Sequence, residues 1–209
     1  MTISLRPYLW YKLLNSLFFG LAVGSVFVLY TPLEPSVFSL GGIGLAVGLL
    51  IVAKMYEKMM NLLVFYRITL LVEILSLLIV ISFLIFQYNY QNVLFIYISY
   101  QLTFVFGNYL MRMETLALKR TALLSFADVI KQQGYLAGMV ISYLFYKIIE
   151  FFGVINKESQ VYYLHVWLLI VQIVIIYCIF KSIVSSFLCY IKTVSVVTSM
   201  NLKSAICCY

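Results

Sequence analysis

Charge is scarce in this chain. Of 209 residues, fourteen are Lys or Arg, seven are Asp or Glu and one is His, so that only 10% are charged. Seven acids, none clustered, exclude the grouped aspartates that hold a magnesium ion for lipid headgroup transfer. The single histidine, His165, excludes an HExxH zinc site, and no GxSxG nucleophile motif is present to use it. Cysteine is limited to Cys178, Cys189, Cys207 and Cys208, without the CxxC spacing of a zinc or redox site. No metal, no cofactor and no catalysed reaction are expected. Also missing is any polar stretch long enough to make a soluble domain.

What fills the space is apolar. Hydrophobic residues make up 65% of the chain and the mean hydropathy is +1.07, far above a soluble domain. The expected fold is an all-α integral membrane protein. Because about 20 mostly apolar residues cross the hydrocarbon core, six spans can be cut from the sequence, at about 9–30, 37–53, 64–86, 93–111, 134–155 and 163–180. The first run is too long for a signal peptide and lacks a convincing small-x-small cleavage site. Pro32 and Pro35 force the first turn, since proline cannot continue a helix. QYNYQN and NKESQ make the third and fifth joints, and His165, beside Trp167, is read as a residue of the membrane interface. After span 4 comes a charged joint with Arg112, Glu114, Lys119, Arg120, Asp128 and Lys131, much of it suited to an amphipathic helix lying at the interface. Residues 183–209 read as a less apolar tail, which suits either a shortened or frameshifted reading frame or a genuine short tail.

Sidedness follows from the basic residues of the joints. With the N-terminus inside, the inner side collects Arg6, Lys12, Lys54, Lys58, Arg67, Arg112, Lys119, Arg120, Lys131, Lys181, Lys192 and Lys203, and the outer side only Lys147 and Lys157. Both termini are therefore expected in the cytoplasm and the protein in a cell inner membrane. The net charge of +7 reports topology, and nothing has the shape of a nucleic-acid site.

Small residues four apart let helix backbones approach in lipid. That spacing occurs at Gly20 and Gly24, at Gly44 and Gly48, and at Gly134 and Gly138, while span 4 has Gly107 and spans 3 and 6 have no glycine. The distribution predicts spans 1, 2, 4 and 5 to be interior or interfacial and spans 3 and 6 to be peripheral.

The stretch from Ala53 to Lys58, AKMYEK, has a small residue, three others, an acid and a base. Together with six spans and cytoplasmic ends, it resembles the loop signature in one half of a major facilitator superfamily transporter. Ala53 stands for the family's glycine, Glu57 for its acid and Lys58 for its base. The basic pair that should follow is replaced by Met59, Met60, Asn61 and Leu62, and the span 4 arginine of proton-coupled members is missing. The resemblance implies a 3+3 repeat, a small-solute permease half or fragment, and a second half reached through spans 2 and 5. A homodimer would supply that half. The rival reading is a non-catalytic binding or scaffold subunit of a larger complex, such as the capture component of a vitamin transporter.

Glu73 is the acid at the middle of a span. Such residues are costly in lipid, face the bundle and mark ion or substrate paths, although a neutral, hydrogen-bonded acid tying two helices together fits equally. Arg67 lies close enough to the membrane edge to snorkel. Six residues separate it from Glu73, about 120° in azimuth, so no direct pair forms. Gln101 and Asn108, seven apart on one face of span 4, are expected to join Asn15 in a polar lining or as interhelical glue.

Overall fold

The computed structural model describes residues 4–30, 33–86 and 89–199. It contains seven helices, α1 (Leu5–Leu29), α2 (Pro35–Lys54), α3 (Tyr56–Met59), α4 (Leu62–Ile85), α5 (Tyr90–Leu118), α6 (Thr121–Phe151) and α7 (Lys157–Ser199), and no strand among the described residues. All but α3 are long and apolar enough to cross a membrane. The protein is an all-α, multi-pass membrane protein.

Local chemistry sets the helix ends. Pro35 occupies the first turn of α2, where its missing N–H costs nothing. The Asn61 side chain accepts the Val64 N–H at 2.8 Å and caps α4. Gly153, at φ +88°, turns the chain out of α6 in a conformation that glycine adopts without strain.

The joint after span 4 differs from its expected form. Helix α5 continues to Leu118 and α6 starts at Thr121, so only Lys119 and Arg120 lie between them, with Lys119 left-handed at φ 51°. The charged segment forms no separate helix; it is the end of α5 and the beginning of α6. Helix α7 likewise runs on through most of the expected tail, 43 residues or about 64 Å at 1.5 Å per residue, roughly twice the hydrocarbon thickness. Pro32, Gln87, Tyr88, Lys203, Cys207 and Cys208 lie outside the described residues, as do the side chains of Cys189 and Lys192.

Five helix pairs pack extensively: α1 with α6, α1 with α7, α4 with α5, α4 with α7, and α2 with α5. Exchanging α1, α2 and α4 with α5, α6 and α7, in that order, leaves this set of pairs unchanged. The core lies between α1, α4, α5 and α7, with Phe18, Phe65, Val72, Tyr109, Leu168 and Ile175 among its buried members. Spans 3 and 6, which have no glycine, are therefore central rather than peripheral. Helix α4 is the most buried span and α2 the least. Large branched and aromatic side chains bury α4 as effectively as small ones bring backbones together, and that is why glycine content misplaced it. Along α7, Leu168, Gln172, Ile175, Ile179, Ser182 and Ser186 form one buried stripe, spaced alternately by three and four residues.

Candidate functional site

A buried polar cluster joins α1, α4 and α7. Its centre is Glu73, 1% exposed. Its Oε1 accepts from the Tyr11 hydroxyl at 2.7 Å and from Asn15 Nδ2 at 2.6 Å. Its Oε2 accepts from Gln172 Nε2 at 2.8 Å, and the same amide group donates to the Glu73 carbonyl oxygen at 2.9 Å. Tyr11 and Asn15 are four apart on α1 and so share a face, while Gln172 sits in the buried stripe of α7. Neither ion pair of the described residues involves Glu73. The carboxyl group is thus held by three side-chain donors and no cation. The bond to its backbone fixes which end of the Gln172 amide faces Glu73, and leaves Gln172 Oε1 buried without a partner.

A second polar contact closes the bundle at the end where α1 begins. Lys12 Nζ on α1 binds Glu114 Oε2 near the end of α5, their side chains 12% and 6% exposed. Lys12 falls inside expected span 1 and Glu114 in the expected joint after span 4; Glu114 is buried because α5 continues to Leu118. Beside this pair, Ser4 bonds Ser185 and Ser186, and the Tyr66 hydroxyl meets Ser186 Oγ at 2.8 Å. At the opposite end, Tyr97 packs edge-on against Tyr30 and Phe38, each with ring centroids 5.4 Å apart, across spans 1, 2 and 4.

The expected lining of Asn15, Gln101 and Asn108 does not assemble. Asn15 turns to Glu73, and Asn108 is exposed and donates to Phe104 of its own helix at 3.0 Å. Gln101 is half-buried with Oε1 unpartnered. Ala53, Glu57 and Lys58 are exposed at the α2–α3 joint, which Tyr109 secures by donating to the Met59 carbonyl at 2.7 Å. Arg67 is exposed. His165 is not an interface residue: it is buried against Phe83, ring centroids 4.1 Å apart, with Nδ1 2.7 Å from the Val161 carbonyl, while Trp167 faces outward.

The glycines divide by neighbour. A Cβ at Gly20 would overlap the Tyr135 carbonyl oxygen, one at Gly134 the Leu13 carbonyl and one at Gly138 the Leu17 carbonyl. Gly24 is in ordinary contact with Tyr146 and Ser142 of the same pair of helices, Gly48 receives Val105, and Gly44 faces open space. Gly134 and Gly138 are therefore covered by α1 within the chain and do not await another subunit.

Sequence alone does not single out Tyr11 or Gln172. Gln172 had a signal, being the amide in the middle of span 6; Tyr11 had none among eighteen tyrosines. Among the described residues no three His, Cys, Asp or Glu side chains gather as metal ligands. No protein-family model matches the chain, and comparisons with curated proteins and with solved structures gave no match.

Proposed function

We propose that the protein is a transporter-like membrane component for a small solute, built as one six-span half of the major facilitator type, with Glu73 as its central polar residue and no reaction catalysed. The carrying observation is the packing network, unchanged when the first three spans are exchanged with the last three. Successive spans joined by short loops alternate in direction, so the exchange reverses orientation, as in the inverted 3+3 repeats nested within such halves. The bias of the basic residues supports both termini on the cytoplasmic side of a cell inner membrane. Reporter fusions after Glu34, Glu57, Gln91, Lys119 and Lys157 then alternate outside and inside, and two neighbouring joints on one side would refute the topology.

In this reading a second half, most simply a second copy, covers the exposed side of the bundle between α2 and α6. Ala46 and Ala137 are exposed on those two helices. Single cysteines at these positions, mixed in one membrane in a cysteine-free background, cross-link between chains. Cross-linking through α4 and α7 positions instead overturns the arrangement. Uptake by membranes carrying the assembled protein tests transport itself: Glu73→Gln keeps the volume and one acceptor oxygen but cannot ionise, so normal protein level with lost uptake supports the reading, and unchanged uptake removes Glu73 from it. One observation favours the scaffold subunit instead. The Glu73 cluster ties three helices together with every donor engaged, as interhelical glue would.

A further inference from the structure

Around the inner half of α5 the neighbouring helices follow in a fixed order. Val105 packs at Gly48 of α2, and Met111 Sδ lies 3.8 Å from the Lys131 ammonium of α6. At 3.6 residues per turn these two contacts stand about 120° apart. Between them in azimuth fall Arg112, Asn108, Thr115 and Phe104, all exposed, and Gln101, half-buried with Oε1 unpartnered. Glu114, which binds Lys12 of α1, lies on the other side of Met111. Helix α6 is arranged in the same way. Its Gly134 and Gly138 meet Leu13 and Leu17 of α1, so both helices begin at the same end of the bundle. Lys131 lies about 40° round from those glycines, and Asp128 and Gln132 about 60° and 100° further in the same sense. A cavity of about 610 Å³ runs along that last face, with Thr121, Ser125, Asp128 and Gln132 in its lining. On both helices the polar face starts where the α5–α6 contact ends and lies on the side away from α1. The two faces therefore bound one cleft between α2 and α6, at the end where α1 and α6 begin.

Polar side chains on spanning helices face a bundle interior or a water-filled cavity, because lipid offers them nothing. Neither ion pair of the described residues uses Arg112, Lys131 or Asp128. Two cations against one acid leave the cleft net positive. The planar guanidinium of Arg112 matches a carboxylate or phosphate with two parallel hydrogen bonds, and the Lys131 ammonium adds a point charge beside it. Further along α5 the chemistry changes from donor to acceptor. Asn108 gives its Nδ2 to the Phe104 carbonyl, which leaves Oδ1 to accept, and Gln101 Oε1 has no partner.

We propose that this cleft binds a small hydrophilic solute through a carboxylate or phosphate group, held by Arg112 and Lys131, with the solute's own O–H or N–H groups turned toward Asn108 and Gln101. The inference rests on the transporter reading above and deepens it by naming the class of solute and the place where it sits, away from the Glu73 cluster. The second copy of that reading encloses the cleft and does not fill it, since Ala46 of α2 and Ala137 of α6 stand on its two rims.

The test uses the full chain without its native cysteines, purified in neutral detergent, with Asn108→Cys as the reporter. Two thiol reagents of similar size serve as probes, the anionic sulfonatoethyl and the cationic trimethylammonioethyl methanethiosulfonate, each rate being divided by that with a free thiol. We expect the anionic reagent to be favoured about tenfold, the scale on which a charged cleft concentrates counter-ions, and the preference to vanish when Arg112→Gln and Lys131→Gln are combined. Leu78→Cys, on the exposed apolar face of α4, reacts with neither. Inorganic phosphate or acetate, added at constant ionic strength, slows the Asn108→Cys reaction several-fold. If that variant does not fold, Thr115→Cys repeats the measurement. An unreactive cysteine, equal rates with both reagents, or a preference that survives the double substitution overturns the proposal. Protection by phosphatidylglycerol in the micelles but not by phosphate or acetate also overturns it, since the occupant is then a lipid headgroup. Because no transport is measured, a cleft that selects anions in a chain that carries no solute keeps this inference and loses the transporter reading, whereas uptake with an unselective cleft does the reverse.

Discussion

The two outer helix pairs, α1 with α6 and α2 with α5, occupy exchangeable places in the packing network and are held by different means. In the first, glycines stand on both helices and backbone meets backbone: Gly138 sits against the Leu17 carbonyl and the Gly20 Cα. In the second, the glycines belong to α2 alone and receive side chains from α5, Tyr97 at Gly41 and Val105 at Gly48. Backbone cannot rotate away from an added methyl group, whereas a side chain can. The first contact is therefore unforgiving and the second adjustable. In sequence the two pairs look alike, since Gly44 and Gly48 have the same spacing as Gly134 and Gly138. That spacing says a helix can be approached closely, and is silent on whether anything approaches it.

Lys12 and Glu114 bridge α1 of one pair and α5 of the other, so breaking this ion pair is the strongest way to separate them. Removing one partner of a buried ion pair costs about 3–5 kcal/mol. We expect Lys12→Met to be the most damaging of the changes considered, read as loss of monodisperse protein on heating in detergent. Lys12→Met combined with Glu114→Gln, which leaves no unpaired charge, should recover most of that loss. Equal damage in single and double variants would mean that the pair contributes little to joining the two halves of the network.

Next in size is Gly138→Ala. The new Cβ overlaps backbone on α1, and overpacking of this kind costs about 1–3 kcal/mol, so α1 and α6 must separate. A cysteine cross-link engineered between the two helices should form less readily in the variant. Gln172→Leu follows: it removes two hydrogen bonds to Glu73, each worth about 0.6 kcal/mol between membrane helices. Its effect should show as faster hydrogen exchange in α7 around Leu168 and Ile175, with α2 unchanged.

How much of this was open to reading follows from the same contrast. The six spans were legible because continuous apolar runs bounded by Pro32, Pro35 and NKESQ admit few other divisions. Glu73 was legible because a carboxyl group in mid-span needs partners. Those partners were not, because Tyr11 and Gln172 meet it only through the packing of α1 and α7 on α4, which no local spacing encodes. The burial of α4 was misjudged since its contacts use Phe65, Ile79 and Phe83 rather than glycine. Glu114 reads as a joint residue because hydropathy ends a span where charge begins, while its ion pair with Lys12 lets α5 continue.

The smallest expected effect gives the sharpest comparison, because one substitution is tried at three glycines in helix interiors. Replacing a helical glycine by alanine removes backbone freedom from the unfolded chain and favours the helix by roughly 0.5–1 kcal/mol where nothing obstructs the methyl group. At Gly44 nothing lies within 4 Å, so the gain should be kept and Gly44→Ala should be slightly more stable than the parent. At Gly48 the methyl group would sit 2.8 Å from Val105 Cγ2. Valine on a helix has one strongly preferred rotamer, and turning it off that rotamer costs about 0.5–1.5 kcal/mol, so gain and loss should nearly cancel. At Gly138 the obstruction is backbone and the loss dominates. The predicted order of thermal stability is Gly44→Ala, then Gly48→Ala, then Gly138→Ala, measured side by side in the same detergent. A clear loss at Gly44→Ala would break the comparison in an informative way: it would mean that a surface outside the chain is packed against α2 at that glycine, where a second six-span half is proposed to sit.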